Sequence, residues 1–164
     1  MIELYKRLAE RVHNEVSDLE REVKRAQKSW RVVPRTTDPD PYIDSVALNL
    51  HGFYSGVERL FELIANQIDE QLPSGEAWHR QLLDQMAHEI EGVRPPVIDA
   101  STVMLLDEFR KFRHLVRHVY TSQLDAARMQ TLMDSLSILW AKLAEQLEEF
   151  ANFLEELSRA DEAR

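Results

Sequence analysis

The 164-residue chain contains no cysteine. That excludes a disulfide framework and a thiolate zinc centre together. Glycine and proline are scarce as well, at four and six residues, which leaves little turn-forming material for a β-rich fold. No stretch approaches the roughly 20 uncharged residues that a membrane-spanning helix requires. The opening residues, Met1-Ile-Glu-Leu-Tyr-Lys-Arg7, become charged at once and lack the apolar core of a secretory signal. The plain reading of these absences is a soluble, cytoplasmic protein with no membrane contact. A net charge of −9 also argues against a general nucleic-acid coat protein, because phosphate binding depends on neutralising basic groups.

What is present favours helices. Leu, Glu, Ala, Arg and Asp are the frequent residues, and most of these are good helix formers. The length suits a single domain, 1–164, with a core large enough to need no covalent staple. Tyr5, Leu8, Val12, Val16, Leu19, Val23, Ala26 and Trp30 keep the three-and-four spacing of one helical stripe. They predict a helix from about Ile2 to about Trp30, so residues 1–33 form a long first element that ends near Val33-Pro34. Asp40-Pro41 is a suitable restart, with Asp40 as cap and the proline in the first turn. The second helix then runs to about Gln71 on Ile43, Val46, Leu50, Phe53, Val57, Leu60, Ile64 and Ile68. Pro73-Ser-Gly75 breaks it. A shorter third helix, about Glu76 to Glu89, precedes the loop Glu91–Asp99. The fourth runs from about Ala100 to Tyr120, capped by Asp99 or Ser101, and the fifth from about Leu124 to Leu157. Amphipathic helices with short connections predict an all-α fold, an antiparallel bundle of four to five helices. The first and fifth are long enough to extend past a compact bundle, which suits association with another chain.

The fourth helix carries the chemistry. At 100° per residue, Leu105, Phe109, Phe112, Val116 and Val119 fall within an arc of about 80°, the stripe expected to be buried. Asp107, Arg110, His114, Arg117, His118 and Thr121 spread over the opposite face, with Arg113 and Tyr120 on its shoulder. Between Arg110 and His118 there are four Lys/Arg and two His, and no acid. Surface helices normally interleave opposite charges, so this cluster suggests one anionic ligand held at one place. The chemistry it suits is phosphoryl transfer. Histidine moves protons near neutral pH, and a guanidinium can hold two phosphate oxygens and stabilise growing charge. RNA supplies its own nucleophile, the 2′-hydroxyl, so a His to accept its proton and an Arg on the phosphate suffice without a metal or other cofactor. Arg113 and His118, five residues apart, lie about 140° apart around the helix. One helix does not easily aim both at one phosphate, and two copies about a two-fold axis would, which favours a homodimeric site.

Arg113, four intervening residues, His118, one residue and Tyr120 resemble the Arg-x4-His-x-Tyr pattern of HepT-type HEPN toxins. His114 meets the family's preference for a polar residue after the arginine. The flanking Phe109–Tyr120 run, the segment Phe53–Ala65 and the Arg94-Pro-Pro-Val-Ile98 loop are similar to that family too, so the likeness spans about Tyr42 to Leu157. The resemblance implies a HEPN-like helical homodimer acting as a metal-independent endoribonuclease. It further implies a minimal nucleotidyltransferase antitoxin that transfers AMP from ATP onto the motif tyrosine. Carried over, Arg113 and His118 are catalytic, His114 and Arg117 supporting, and Tyr120 the AMP acceptor.

Other readings stand beside this one. The same cleft suits a non-enzymatic HEPN module that binds a nucleotide or a protein. Arg117 suits RNA backbone, and equally an ion pair with Asp107. His114, His118 and Asp107 lie within about 40° of one face, a stripe that can bind a divalent metal, to which His79 or His88 would add a ligand. The arginines and Lys111 around it oppose a metal ion. Glu58 reads first as a surface acid near Arg59, and second as an orienting carboxylate for the cluster. For His13 and His51 the sequence identifies no partner.

Overall fold

The computed structural model describes residues 1–118 and 126–164, and of Arg117 and His118 the backbone alone. Among the described residues five α-helices follow in order: α1 (Ile2–Val32), α2 (Asp40–Gln67), α3 (Trp78–Met86), α4 (Ala100–His118) and α5 (Ala126–Glu162). A short 3-10 turn, Val33–Arg35, ends the first of them at its proline. Strand pairing among these residues is limited to one isolated bridge between Ile90 and Arg94. The chain is an all-α helical bundle.

Each helix is placed by the stripe it buries. Leu8, Val12, Leu19, Val23 and Ala26 of α1 meet Val46, Leu50, Phe53, Val57, Leu60 and Ile64 of α2 and the leucine row of α5 in one continuous core. Burying one such large apolar side chain stabilises the fold by about 1.5–3 kcal/mol. α1 lies against both α2 and α5. Ser29 and Ser45 share a 2.9 Å hydrogen bond where α1 ends and α2 begins. Lys6 pairs with Glu162, joining the start of α1 to the end of α5. Both contacts set α1 antiparallel to its neighbours. Gly56 lets α1 come close, since a Cβ there would stand 2.9 Å from Leu19 Cδ2. The two long helices thus cover one another along much of their length.

His13 has partners that its sequence neighbourhood did not reveal. Its Nδ1 lies 2.6 Å from Glu148 Oε2, and its Nε2 lies 2.8 Å from Glu155 Oε1. Carboxylates only accept, so both bonds form when both ring nitrogens carry protons. The Glu155 hydrogen bond, with Glu148 adding charge and a second bond, raises the His13 pKa above its ordinary 6.5 against the opposing effect of burial. A raised folded-state pKa means the clasp contributes fully below about pH 6.5 and is lost as pH rises through the folded value. The pair is partly exposed, so the effect is small, about 1 kcal/mol or less. Thermal melts at pH 5.5 and 8.5 should show the parent gaining a few degrees over His13→Gln at the lower pH only. Equal differences at both pH values would remove the clasp.

The turns differ from expectation in one instructive place. α2 was expected to reach about Gln71 but ends at Gln67, and Glu70 adopts a left-handed φ of 54°. The chain turns there because Asp69 is drawn inward. Its Oδ1 accepts from Arg94 Nε at 2.6 Å and its Oδ2 from Arg94 Nη2 at 2.7 Å. Both side chains are fully buried. α3 is likewise shorter than Glu76–Glu89, because Ala87 and His88 already turn toward the Ile90–Arg94 bridge. Asp40 opens α2 as its first residue without a side-chain cap. At α4 the expected cap is in place: Asp99 Oδ1 accepts from the Thr102 backbone N–H at 2.8 Å. That bond, with a second from the Ser101 hydroxyl, holds the Asp99 pKa down at about 2.

Candidate functional site

The site forms where α2, α3 and α4 meet. Phe109 and Phe112 of α4 are buried, with Phe109 edge-on to Phe53 at 6.0 Å between ring centres. That seating turns Arg113 toward α2. There its Nε donates to Ser55 Oγ at 2.8 Å, and its Nη1 lies 3.8 Å from Glu58 Oε1. Ser55 and Glu58 are three residues apart, one above the other on the same face of α2. The second Glu58 oxygen, Oε2, meets His79 Nδ1 at 2.7 Å. The His79 ring stacks on Trp78, centre to centre 3.7 Å. One buried carboxylate therefore joins an arginine from α4 to a histidine from α3.

A second cluster lies beside it. Asp107 Oδ1 accepts from Arg110 Nε at 2.7 Å, its Oδ2 lies 2.7 Å from Arg80 Nη1, and Lys111 Nζ stands 3.6 Å away. Burial alone would raise the Asp107 carboxyl. The Arg110 hydrogen bond and the charges of Arg110, Arg80 and Lys111 outweigh it and hold the group below the usual value. Tyr54, buried between the two clusters, has its phenol pKa pushed up by burial first and by the Glu58 charge second. Glu62 is raised by burial and then by Glu58, while His79 and Arg113 pull it back. A neutral phenol and a carboxyl that resists ionising thus flank a carboxylate shared by two cation-forming groups.

Several expectations change. Asp107 was assigned to the open polar face but is buried, as is Glu58, which was read first as a surface acid near Arg59. Glu58 instead stands against the cluster, facing Arg113. The cations of α4 were expected to crowd together without acids. Instead Arg110 pairs with Asp107, Lys111 with Asp107 and Glu108, and Arg113 with Glu58. With its carboxylate set among three cations, Asp107 is poorly placed for a metal stripe with His114 and His118. Among the described residues no three His, Cys, Asp or Glu side chains gather as a metal would require. His114 is exposed. His88 turns to the Asp84 carbonyl at 2.7 Å, away from the cluster. The backbone of α4 runs unbroken through Arg113 and His118. The side chains of Arg117 and His118 lie outside the described residues, as does Tyr120 altogether.

Residues 45–154 match the family described as HepT-like protein, about two thirds of the chain. The chain belongs to the HepT-like family. No curated protein and no solved structure matches it. The match contains α3 and α4 whole and most of α2 and α5, and leaves out α1 entirely. In this HepT-like chain the Arg113–Glu58–His79 chain of contacts therefore lies wholly inside the family region. The sequence singles out neither Ser55 nor His79 as the arginine's partner, while it offers Glu58 as a second reading, an orienting carboxylate for the cluster, and carries one further signal for that residue. It occupies the buried register of α2, four residues after Tyr54 and three before Phe61, where an acid is costly unless paired. For His79 the sequence carries no such sign, because its position depends on how α3 is folded back. No described helix is long and apolar enough to cross a membrane.

Proposed function

We propose that this HepT-like chain is a toxin that cleaves RNA without a metal, with Arg113 and His118 as the catalytic pair. In this reading it is one domain over residues 1–164 and works as a homodimer in the cytoplasm. The observation that carries it is the motif arginine held by Ser55 and Glu58 at the edge of α4. A guanidinium fixed from behind is preorganised for phosphate oxygens, and fixing it in advance removes reorganisation at the moment of reaction. The 2′-oxygen attacks the adjacent phosphorus, and the bond to the 5′-oxygen breaks. A proton leaves the 2′-hydroxyl and another reaches the departing oxygen, so the products are a 2′,3′-cyclic phosphate and a 5′-hydroxyl. His118 moves protons, Arg113 stabilises the charge on the phosphate, and His114 and Arg117 support them. Because α4 is unbroken, Arg113 and His118 stay about 140° apart around it, and a two-fold dimer supplies both from facing copies.

The proposed partner is a minimal nucleotidyltransferase antitoxin. The Tyr120 oxygen attacks the α-phosphorus of ATP, pyrophosphate leaves, the phenolic proton goes to solvent, and AMP remains on the tyrosine. Added phosphate and bulk would then occupy the cleft that RNA phosphate needs. A second reading, a non-enzymatic module that binds a nucleotide or a protein, draws on the same pairing of Arg113, whose side chain is only 17% exposed.

The test is direct. Purified protein should cut RNA in the presence of EDTA, leave cyclic phosphate ends, and lose at least about a thousandfold of that rate in Arg113→Ala and in His118→Ala. RNA or nucleotide binding without turnover in the parent would favour the binding module. Cleavage by both variants at the parent rate would overturn the catalytic assignment. Expression without the partner should slow growth, and co-expression with it should add one or more AMP masses at Tyr120.

A further inference from the structure

Transesterification of RNA needs two proton transfers, one from the 2′-hydroxyl and one to the 5′-oxygen. The motif provides His118 and, directly after the arginine, His114. A further imidazole, His79, stands near the motif arginine, on α3 and outside the motif. His79 Nδ1 is 2.7 Å from Glu58 Oε2, while the other oxygen of the same carboxylate faces Arg113. His79 and Arg113 are thus separated by a single carboxylate. The His79 side chain is 28% exposed, against 6% for Glu58. The arrangement is a carboxylate buried behind an imidazole that still reaches the surface.

We propose that His79 is a second proton-transfer residue of the RNA-cleaving site, oriented by Glu58. This rests on the proposed ribonuclease function. Ionised Glu58 accepts the Nδ1–H of His79, which leaves the Nε2 lone pair as the basic site on the far edge of the ring. Stacking on Trp78 restrains the ring plane. In the reaction Nε2 takes the proton of the 2′-hydroxyl as that oxygen bonds to phosphorus. His118 gives a proton to the 5′-oxygen as its bond to phosphorus breaks. Arg113 holds the charge that builds on the phosphate in between. Glu58 offsets the positive charge that His79 acquires, as a buried carboxylate does behind any imidazole base. Glu62 on α2 also interacts with His79, and Arg113 on α4 lies across the shared Glu58 carboxylate. Nothing in the Arg-x4-His spacing marks His79, and its participation is set by the fold alone.

The experiment measures cleavage of one defined RNA by the full chain across pH, for the parent, His79→Ala and His79→Gln. Circular dichroism, oligomeric state and binding of an all-deoxy analogue serve as controls for folding and affinity. Both variants should lose about 100-fold or more in kcat with KM little changed. They should also lose one limb of the parent pH–rate profile, and added imidazole should restore part of the His79→Ala rate. A parent-like rate and profile in either well-folded variant overturns the role of His79 while leaving the ribonuclease reading intact. A slowed variant with an unchanged profile and no imidazole rescue shows a structural role, and overturns the proposal too. A parent that does not cut RNA overturns the underlying reading and this one with it.

Discussion

Asp69→Ala is expected to destabilise the fold by about 3–5 kcal/mol, because it leaves a guanidinium buried without its counter-charge. Arg94 reaches Asp69 through Nε and Nη2. Its Nη1 donates to the carbonyls of His88 and Pro95 at 2.9 and 3.1 Å. Gln85 Nε2 adds a third donor on Asp69, at 2.7 Å. One buried pair therefore ties the end of α2 to the end of α3 and to the loop that leads into α4. Desolvation costs two buried charges several kcal/mol each, and the pair is favourable only while every lone pair and N–H is met. Removing one partner forfeits the attraction and keeps the penalty. A thermal melt should show a fall of about 6–20 °C, given roughly 2–4 °C per kcal/mol for a domain of this size. The double variant Asp69→Leu with Arg94→Met should recover much of the loss, since apolar replacements of similar volume relieve both desolvation costs. A loss in Asp69→Ala of under about 1 kcal/mol would mean that the pair is not the anchor of this corner.

Glu58→Ala is expected to produce the largest loss of RNA cleavage among residues outside the motif, about 100-fold or more. Its two oxygens face Arg113 and His79, so one truncation releases both. Arg113 would keep the Ser55 hydroxyl alone, and displacement of a catalytic group by about 1 Å is enough to cost two orders of magnitude. Glu58→Gln keeps the shape and one acceptor oxygen, and should fall between the parent and the alanine variant. The Nε–H signal of Arg113 in a 15N spectrum offers a readout independent of turnover. It should shift or broaden in Glu58→Ala as the side chain loses its restraint. A Glu58→Ala protein that cuts within about threefold of the parent, with that signal unmoved, would remove the positioning role.

These two acids mark the boundary between what was legible and what was not. The five helices were readable because apolar periodicity is local: a stripe at three-and-four spacing has one structural use. α1 and α4 therefore begin where expected, and Asp99 caps α4 as read. Phe109 and Phe112 are buried as their register required. Helix ends were less legible. Gln67 rather than Gln71 closes α2 because Asp69 pairs with a residue 25 positions later, and no local pattern encodes a partner at that distance.

For the site the same division holds. The sequence by itself determined the helical class, the arginine and histidine spacing on α4, and the resemblance to HepT-type proteins that the family match bears out. It marked Arg113, His114, Arg117, His118 and Tyr120 as a group, because spacing along one helix is written in the chain. Only the tertiary structure decided what stands behind Arg113. Charges on different helices are paired by packing, and packing brought Glu58 and Ser55 from α2 to one arginine and His79 from α3 to the same Glu58. An apparent run of unpaired cations became a set of pairs for the same reason: their acids lie one turn back on α4 and across the helix seam on α2.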